Sequence, residues 1–167
     1  MQDTITTKAQ LAKNASQKLA LFSAKIKNNA LLAMAKSLKK NSKLVLDANK
    51  KDVQSAGRIR VKEALLKRLA LDQSKIDEMA KAVELIAKSE EPIRKIMSQT
   101  ELDNGLLLSK VACPIGVIFA VFESRPDALT QIIALCLKSG NALILKGGSE
   151  AKNSNRALFS LISKAAQ

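Results

Sequence analysis

The chain has 167 residues, of which 47% are hydrophobic, so it should fold as one globular domain rather than remain disordered. Its net charge is +13, but the lysines are spread at helical spacing among alanine, leucine and isoleucine, as on the wet faces of amphipathic helices. With no tryptophan, no tyrosine and four phenylalanines, the chain nearly lacks aromatic platforms for stacking on single-stranded nucleic acids, so we expect a solvated lysine surface and no nucleic-acid partner.

Helices are predicted for residues 4–91, because apolar residues recur at steps of three and four and no proline interrupts them. Local composition predicts breaks at Asn-Ser, residues 41–42, and at Ser-Ala-Gly, residues 55–57. Ser74 and Asp77 form a capping-box signature, which predicts the start of a further helix with one apolar face.

A β-hairpin is predicted for residues 98–112, where Asn104-Gly105 separates two short segments. Asn-Gly supplies the positive φ angles that a tight type I′ turn requires. A hairpin of this size is marginally stable alone and usually packs on something larger. Two interpretations therefore stay open, a plain connecting hairpin and a contact between subunits.

The rest of the chain predicts the first βαβα part of a Rossmann-like parallel sheet. Residues 115–122 form a continuous apolar run rich in β-branched residues, which suits a strand covered on both faces. Next comes a helical pattern with Pro126 at its start and Gly140 just past its end. Residues 142–146 are the next strand, and a crossover of this length makes the two strands parallel.

Polar residues collect in the turns that follow the two strands of this sheet. In open α/β sheets, ligands bind beyond the carboxyl ends of the strands, where helix N-termini point N–H groups outward. The first turn holds Glu123, Ser124 and Arg125, and the second holds Lys146, Gly147, Gly148, Ser149 and Glu150. A cation, two glycines and a hydroxyl suit a phosphate or ribose, with Glu150 as acceptor for a ribose hydroxyl. The pattern is neither G-x-G-x-x-G nor a P-loop. Two other interpretations therefore stay open: the Gly-Gly segment is only a turn, and Arg125 is a surface residue that caps nearby carbonyls.

Other chemistries find little support in the sequence. The chain has no histidine, so the common catalytic triads and most zinc sites cannot be built from it, and we expect no metal. Cys136 lies on the apolar stripe of its helix, and Cys113 has no histidine to activate it, so neither is expected to be a nucleophile. No apolar run approaches the about 20 residues of a membrane span and no signal-peptide core is present, so we expect a cytoplasmic protein without a membrane partner.

The run PIGVIFAVFESRPDALTQIIALCLKSGNALILKGGSEAKNSN, residues 114–155, closely resembles gamma-glutamyl phosphate reductase, also called glutamate-5-semialdehyde dehydrogenase, of the aldehyde dehydrogenase superfamily. The motifs ESRPDA and LKSGNALILKGGSEA carry the likeness, and LDNGL and RLALDQSKIDEMAKAV extend it over nearly the whole chain. The resemblance implies an NADPH-dependent enzyme of proline biosynthesis that reduces gamma-glutamyl phosphate to glutamate 5-semialdehyde. In this family a cysteine thiolate attacks the acyl phosphate, phosphate leaves, and hydride reduces the resulting thioester.

The same resemblance implies roles for the residues of the two turns. It assigns Lys146, Ser149 and Glu150 to the turn that contacts the adenosine ribose and phosphate of the cofactor. It puts Ser124, Arg125 and Pro126 near the nicotinamide or the substrate, and Ser124 stands where the superfamily usually has an asparagine that stabilises the oxyanion. The hairpin resembles part of the superfamily's oligomerisation element, which favours a subunit contact and a homo-oligomer.

The family's catalytic cysteine lies in a later domain, and no residue of this chain matches it. The resemblance thus implies one truncated cofactor-binding domain over residues 1–167, with a helical region (1–97), the hairpin (98–112) and the start of the NADP-binding sheet (113–167). We expect this chain alone to be inactive. The alternative functions are a non-catalytic module that binds nucleotide or another subunit and, from the charge, a basic helical nucleic-acid binder.

Overall fold

The computed structural model describes residues 4–58 and 62–166. The predicted helical region includes residues 1–3 and 59–61, which lie outside the described residues, as does residue 167 of the sheet region. The helices are α1 (Ile5–Leu19), α2 (Ala24–Lys40), α3 (Ser42–Arg58), α4 (Glu63–Leu69), α5 (Gln73–Lys88), α6 (Pro126–Lys138) and α7 (Lys152–Ala165). The strands are β1 (Ile96–Glu101), β2 (Leu107–Val111), β3 (Val117–Val121) and β4 (Ala142–Lys146).

The start of α5 differs from the predicted capping box. Asp72 is the N-cap, and its carboxylate accepts a 2.8 Å hydrogen bond from the backbone N–H of Lys75. Ser74 therefore lies inside the first turn, and the side chain of Asp77 accepts from Gln73 instead. The prediction was wrong by two residues because an aspartate at the N-cap satisfies the free N–H groups of the first turn as well as a serine does.

One of the two predicted helix breaks is confirmed and the other is wrong. Between α2 and α3, Asn41 is the C-cap and its side-chain amide donates to the Ser37 carbonyl at 2.9 Å. At residues 55–57, by contrast, α3 continues to Arg58. Ala56 is buried in a cluster with Leu69, and this packing outweighs the about 1 kcal/mol that a glycine costs inside a helix.

The N-terminal helices and the two helices of the sheet region share one hydrophobic core. Leu31 and Leu38 of α2 and Val83 of α5 are fully buried, and they pack in the same cluster as Leu129 of α6 and Leu158 of α7. The apolar faces predicted from the sequence are therefore buried where other helices pack on both sides of α2. The apolar stripe of α6 packs against α5 and α7, and the exposed residues of this helix are Gln131 and Leu135.

Two lysines depart from the expected solvated surface. Lys27 of α2 is 1% exposed, and its ammonium donates to Glu91 at 2.5 Å and to the Lys138 carbonyl at 3.0 Å. Lys138 of α6 is also buried, and its ammonium donates to the Asn28 side chain at 2.7 Å and to the carbonyls of Ala87 and Ser89 at 3.1 and 2.8 Å. Buried ammonium groups are tolerated here because each has at least two oxygen acceptors.

The predicted hairpin is confirmed. β1 and β2 pair antiparallel, and Asn104 and Gly105 have φ angles of 57° and 78°. The N–H of Leu106 donates to the Asp103 carbonyl at 3.3 Å, which closes the turn inside a connection of residues 102–106. Pairing begins at Ile96, two residues earlier than predicted. Every residue of both strands is exposed, so the described part of the chain covers neither face of the hairpin.

The second sheet has the predicted parallel order. β3 pairs with β4 from Val117 opposite Ala142 onward, and α6 crosses between them. The prediction that the first of these strands is covered on both faces was wrong. Phe119 and Val121 are 59% and 66% exposed, because α1 and α6 pack mainly against β4. One face of β3 is thus open in the structure described here.

Candidate functional site

The two polar turns meet at the carboxyl ends of β3 and β4. Because these strands are parallel neighbours, the turns after them emerge at the same edge of the sheet. Ser124, in the first turn, is 2% exposed, and its hydroxyl donates a 2.6 Å hydrogen bond to the Glu150 carboxylate in the second turn. Two turns that lie apart in sequence are therefore one structural unit.

Glu150 is the charged centre of this unit. The hydrogen bond from Ser124 is the largest cause that holds its pKa below the ordinary glutamate value, and its own backbone N–H and Ser149 contribute in the same direction. The Ser149 hydroxyl contacts the second carboxylate oxygen at 3.2 Å. Glu150 is therefore a carboxylate at neutral pH, and such a carboxylate is a strong acceptor for hydroxyl donors.

Gly147 and Gly148 allow the turns to approach each other. A Cβ atom at Gly148 would overlap the Ser124 hydroxyl and would lie 3.0 Å from the Glu150 carboxylate. A Cβ atom at Gly147 would overlap the side-chain nitrogen of Asn155 and would lie 3.0 Å from the Phe122 ring. The space that side chains would take at both positions is thus filled by atoms of the protein itself.

Lys146 and Ser149 present polar groups to solvent at this edge. Lys146 is the last residue of β4, and its carbonyl accepts a 3.1 Å hydrogen bond from the backbone N–H of Phe122. Its side chain is exposed, and no acceptor among the described residues contacts its ammonium. A free cation, an exposed hydroxyl and the Glu150 carboxylate form a donor and acceptor set that fits the phosphate and ribose of a nucleotide.

The other residues of the first turn point in two directions. Pro126 is buried at the first position of α6. Arg125 is exposed and donates to the Asp127 carboxylate at 2.8 Å, a hydrogen bond that raises the pKa of Arg125. Glu123 is also exposed and pairs with Arg68 of α4 at 3.5 Å. The partners of Glu123 and Arg125 therefore lie on α4 and α6, not on the second turn.

Arg125 borders a cleft between α4, α5 and α6. The cavity has a volume of about 320 Å³, and its other lining residues are mostly charged: Lys67, Arg68, Lys75, Glu78, Met79, Asp127 and Gln131. Lysine and arginine outnumber the acidic residues in this lining, so an anionic ligand suits the cleft better than a cationic one. The structure thus splits the predicted site into the Ser124–Glu150 unit and a basic cleft beside it.

Sequence reasoning missed a buried polar network behind the second turn. Asp52 of α3 is 3% exposed and accepts hydrogen bonds from both the backbone and side chain of Asn153 and of Ser154 at the start of α7. Asn49 of α3 donates to the Ser154 hydroxyl at 3.0 Å and to the Leu69 carbonyl at 2.8 Å. Helical spacing in the sequence could have found these two residues, because Asn49 and Asp52 occupy the buried stripe of α3.

Three further observations bear on the chemistry of the described residues. Cys136 is buried, and its burial raises the pKa of the thiol, whereas Cys113 is exposed. The described ranges contain no group of three or more Cys, Asp or Glu side chains arranged to hold a metal ion. None of the helices in those ranges combines the length and apolar character that crossing a bilayer requires.

Comparison with known proteins defines the class of fold. A probable aldehyde dehydrogenase from Listeria monocytogenes superposes with a TM-score of 0.67 at 16% identity, over 94% of this chain and 32% of that chain. The chain therefore has the fold of the N-terminal part of an aldehyde dehydrogenase. No protein-family model matches the sequence.

Relatives of higher sequence identity belong to one enzyme family. The chain is homologous over nearly its whole length to gamma-glutamyl phosphate reductase, which confirms the resemblance found in the sequence. The Methanosarcina acetivorans enzyme is 46% identical over 169 residues, which cover 99% of this chain and 38% of the relative. The crystal structure of the Thermotoga maritima enzyme has a TM-score of 0.92 and 38% identity, over 96% of this chain and 39% of that chain. The chain spans less than two fifths of the length of these curated relatives.

Proposed function

We propose that this chain is the cofactor-binding, N-terminal portion of an NADPH-dependent reductase that converts gamma-glutamyl phosphate to glutamate 5-semialdehyde in the cytoplasm, for proline biosynthesis. The contact between Ser124 and Glu150 carries the proposal. It joins the turn that the family resemblance assigns to the nicotinamide end with the turn assigned to the adenosine end. The 46% identity to a protein of that name supports the choice of substrate.

The residues of the second turn fit the nucleotide by their chemistry. In this proposal the Lys146 ammonium and the Ser149 hydroxyl bind the phosphate on the adenosine ribose, and Glu150 accepts from a ribose hydroxyl. The nicotinamide, when bound, supplies the hydride of the reaction. Ser124 is already committed to Glu150, so its side chain orients the second turn instead of serving as a free donor to an oxyanion.

The catalytic cysteine lies outside these residues in the proposal. Cys136 is buried in the core, and burial raises the pKa of its thiol, which disfavours the reactive thiolate. Cys113 is exposed but does not match the family's nucleophile. We therefore expect binding of NADPH by this chain and no turnover by it.

Nucleotide binding gives the direct test. NADPH and NADH are titrated separately while the fluorescence of the reduced nicotinamide is followed, with wild type, Lys146→Ala and the control Lys164→Ala, an exposed lysine at the far end of α7. Losing one charge-assisted contact to phosphate should weaken NADPH binding about tenfold in Lys146→Ala and leave NADH binding unchanged. A wild-type protein that does not bind NADPH would contradict the proposal.

A non-catalytic module that binds nucleotide or another subunit is the second candidate, because Cys136 is buried and Cys113 does not match the family's nucleophile. Binding of NADPH without turnover in the reverse reaction, with glutamate 5-semialdehyde, phosphate and NADP⁺, is expected of this chain for both functions. The coding sequence past codon 167, checked against the intact mass of the native protein, separates them: a frame that continues into a domain with the nucleophile favours the reductase, and a stop codon favours the module. If the protein turns over with the residues of this chain alone, our location of the cysteine is wrong.

A further inference from the structure

We infer that Asp52 is a positioning residue for the nucleotide-binding turn. Its carboxylate, on α3, fixes the first turn of α7 and thereby sets the direction in which Ser149 and Glu150 face. The inference rests on the proposed function of that turn. Asp52 lies behind the site and cannot contact a bound nucleotide, because it is 3% exposed.

The carboxylate replaces a local helix cap. The first N–H groups of a helix have no partners within the helix, and Ala151 at the N-cap of α7 has no side chain that could accept from them. Asp52 supplies the acceptors. One oxygen accepts from the Asn153 N–H at 3.1 Å and its side-chain amide at 2.8 Å, and the other accepts from the Ser154 N–H at 2.7 Å and its hydroxyl at 2.6 Å.

Apolar packing fixes the same segment at its other side. Residues Ser149–Ala151 form a single 3₁₀ turn that leads directly into α7. Ala151 is fully buried against Ala56 of α3 and Leu69 of α4. Asn49 adds a link between Leu69 and Ser154. The chain from Ala151 to Ser154 is thus attached to two helices of the N-terminal region.

The nucleotide-facing residues lie between two attachments. On one side, Gly148 is held close to Ser124, whose hydroxyl contacts Glu150. On the other side, Ala151 and the Asp52 bonds hold the start of α7. Ser149 and Glu150 lie between these points, so the backbone that carries their side chains has few alternative conformations. Such preorganisation lowers the entropy that binding must overcome, so losing Asp52 should weaken binding without removing a contact to the ligand.

The substitution Asp52→Asn tests this with little change in shape. The amide nitrogen of asparagine is a donor and would face N–H donors of Asn153 or Ser154, so the cap is lost on one side. The matched control is Asp47→Asn, the same change on an exposed position of α3. We expect the Kd for NADPH to rise about tenfold in Asp52→Asn and to stay unchanged in Asp47→Asn. Hydrogen exchange at residues 149–154 should accelerate in Asp52→Asn alone.

The outcomes separate this inference from the proposed function. If Asp52→Asn lowers the melting temperature but the Kd for NADPH of the folded protein stays within about twofold of wild type, the residue is only structural and the inference is overturned. If Asp52→Asn does not fold, Asn153→Ala removes one side-chain donor to Asp52 and should give a smaller rise in Kd of the same kind. Wild-type protein that binds no NADPH overturns the proposed function, and hydrogen exchange at residues 149–154 then still decides whether Asp52 orders the turn.

Discussion

The Ser124 hydroxyl donates a 2.6 Å hydrogen bond to the Glu150 carboxylate across the carboxyl ends of two parallel strands. The hydroxyl is buried, and the carboxylate it contacts is held below its ordinary pKa mainly by that bond. The two residues therefore form an element of the fold and an element of the candidate site at once. A change at either residue should appear in stability as well as in nucleotide binding.

The substitution Ser124→Ala should raise the pKa of Glu150, because it removes the largest cause of the lowering. A carboxyl group whose folded pKa is depressed stabilises the protein above its unfolded pKa, and this contribution is lost as the pH falls through the folded pKa. Ser124→Ala should therefore cost about 0.5–1.5 kcal/mol of unfolding free energy at neutral pH, and this cost should shrink in acid.

Urea unfolding of wild type and Ser124→Ala at several pH values measures this difference, with the exposed Ser160→Ala as the control. A cost that stays constant from neutral pH into acid would show that the hydrogen bond does not depend on the charge of Glu150.

The substitution Gly148→Ala should separate the two turns. Its methyl group would overlap the Ser124 hydroxyl and press on the Glu150 carboxylate, so we expect a loss of about 1–3 kcal/mol in unfolding free energy. NADPH binding should weaken in parallel. Gly57→Ala in α3 is the matched control, because its methyl group meets no atom within 4 Å and should stabilise the helix by about 0.5–1 kcal/mol. Equal unfolding midpoints for the two variants would refute this account of Gly148.

The substitution Lys138→Met should destabilise the protein by about 1–3 kcal/mol at neutral pH, because it leaves the acceptors of Asn28, Ala87 and Ser89 without their donor. The exposed Lys36→Met should change stability little.

Burial is the main cause that lowers the pKa of Lys138. In the pH range between its folded and unfolded pKa values, the unfolded chain binds more protons, so the wild type should gain stability relative to Lys138→Met as the pH rises.

Denaturant unfolding at neutral and alkaline pH checks both statements about Lys138. If Lys138→Met and Lys36→Met were equally stable, the hydrogen bonds of Lys138 would contribute nothing net to the fold.

The hairpin gives a prediction about assembly. Both faces of β1 and β2 are exposed, and they carry the apolar residues Ile96, Met97, Leu107, Leu108 and Val111. If the hairpin is a subunit contact, Leu107→Glu or Leu108→Glu, which alter opposite faces, should lower the mass measured by sedimentation velocity. A wild-type protein that sediments as a monomer, or an oligomer unaffected by either change, would favour the plain connecting hairpin.

Local signals in the sequence predicted the parts of the fold that depend on neighbouring residues. The parallel pair of β3 and β4 followed from the length of the crossover, and Asn104-Gly105 predicted the hairpin through its positive φ angles. The two turns of the candidate site were predicted to lie at one sheet edge. Their direct contact was not predicted, because the distance between Ser124 and Glu150 depends on the register in which β3 and β4 pair.

Three of the wrong or missed features depend on partners that are distant in sequence. Lys27 is buried because Glu91 and the Lys138 carbonyl accept its hydrogen bonds, and no pattern within α2 reveals those partners. Asp52 caps a helix that begins 100 residues later. The exposed face of β3 likewise follows from where α1 and α6 pack, which the composition of the strand does not encode.

The two buried lysines make the halves of this domain interdependent. Hydrogen bonds of Lys27 and Lys138 connect α2 to the ends of α5 and α6. Separating the helical region from the sheet would therefore leave several charged donors and acceptors in apolar surroundings without their partners. The two halves should therefore lose their structure in one cooperative step, with equal calorimetric and van't Hoff enthalpies. The hairpin takes no part in that shared core and can open without it.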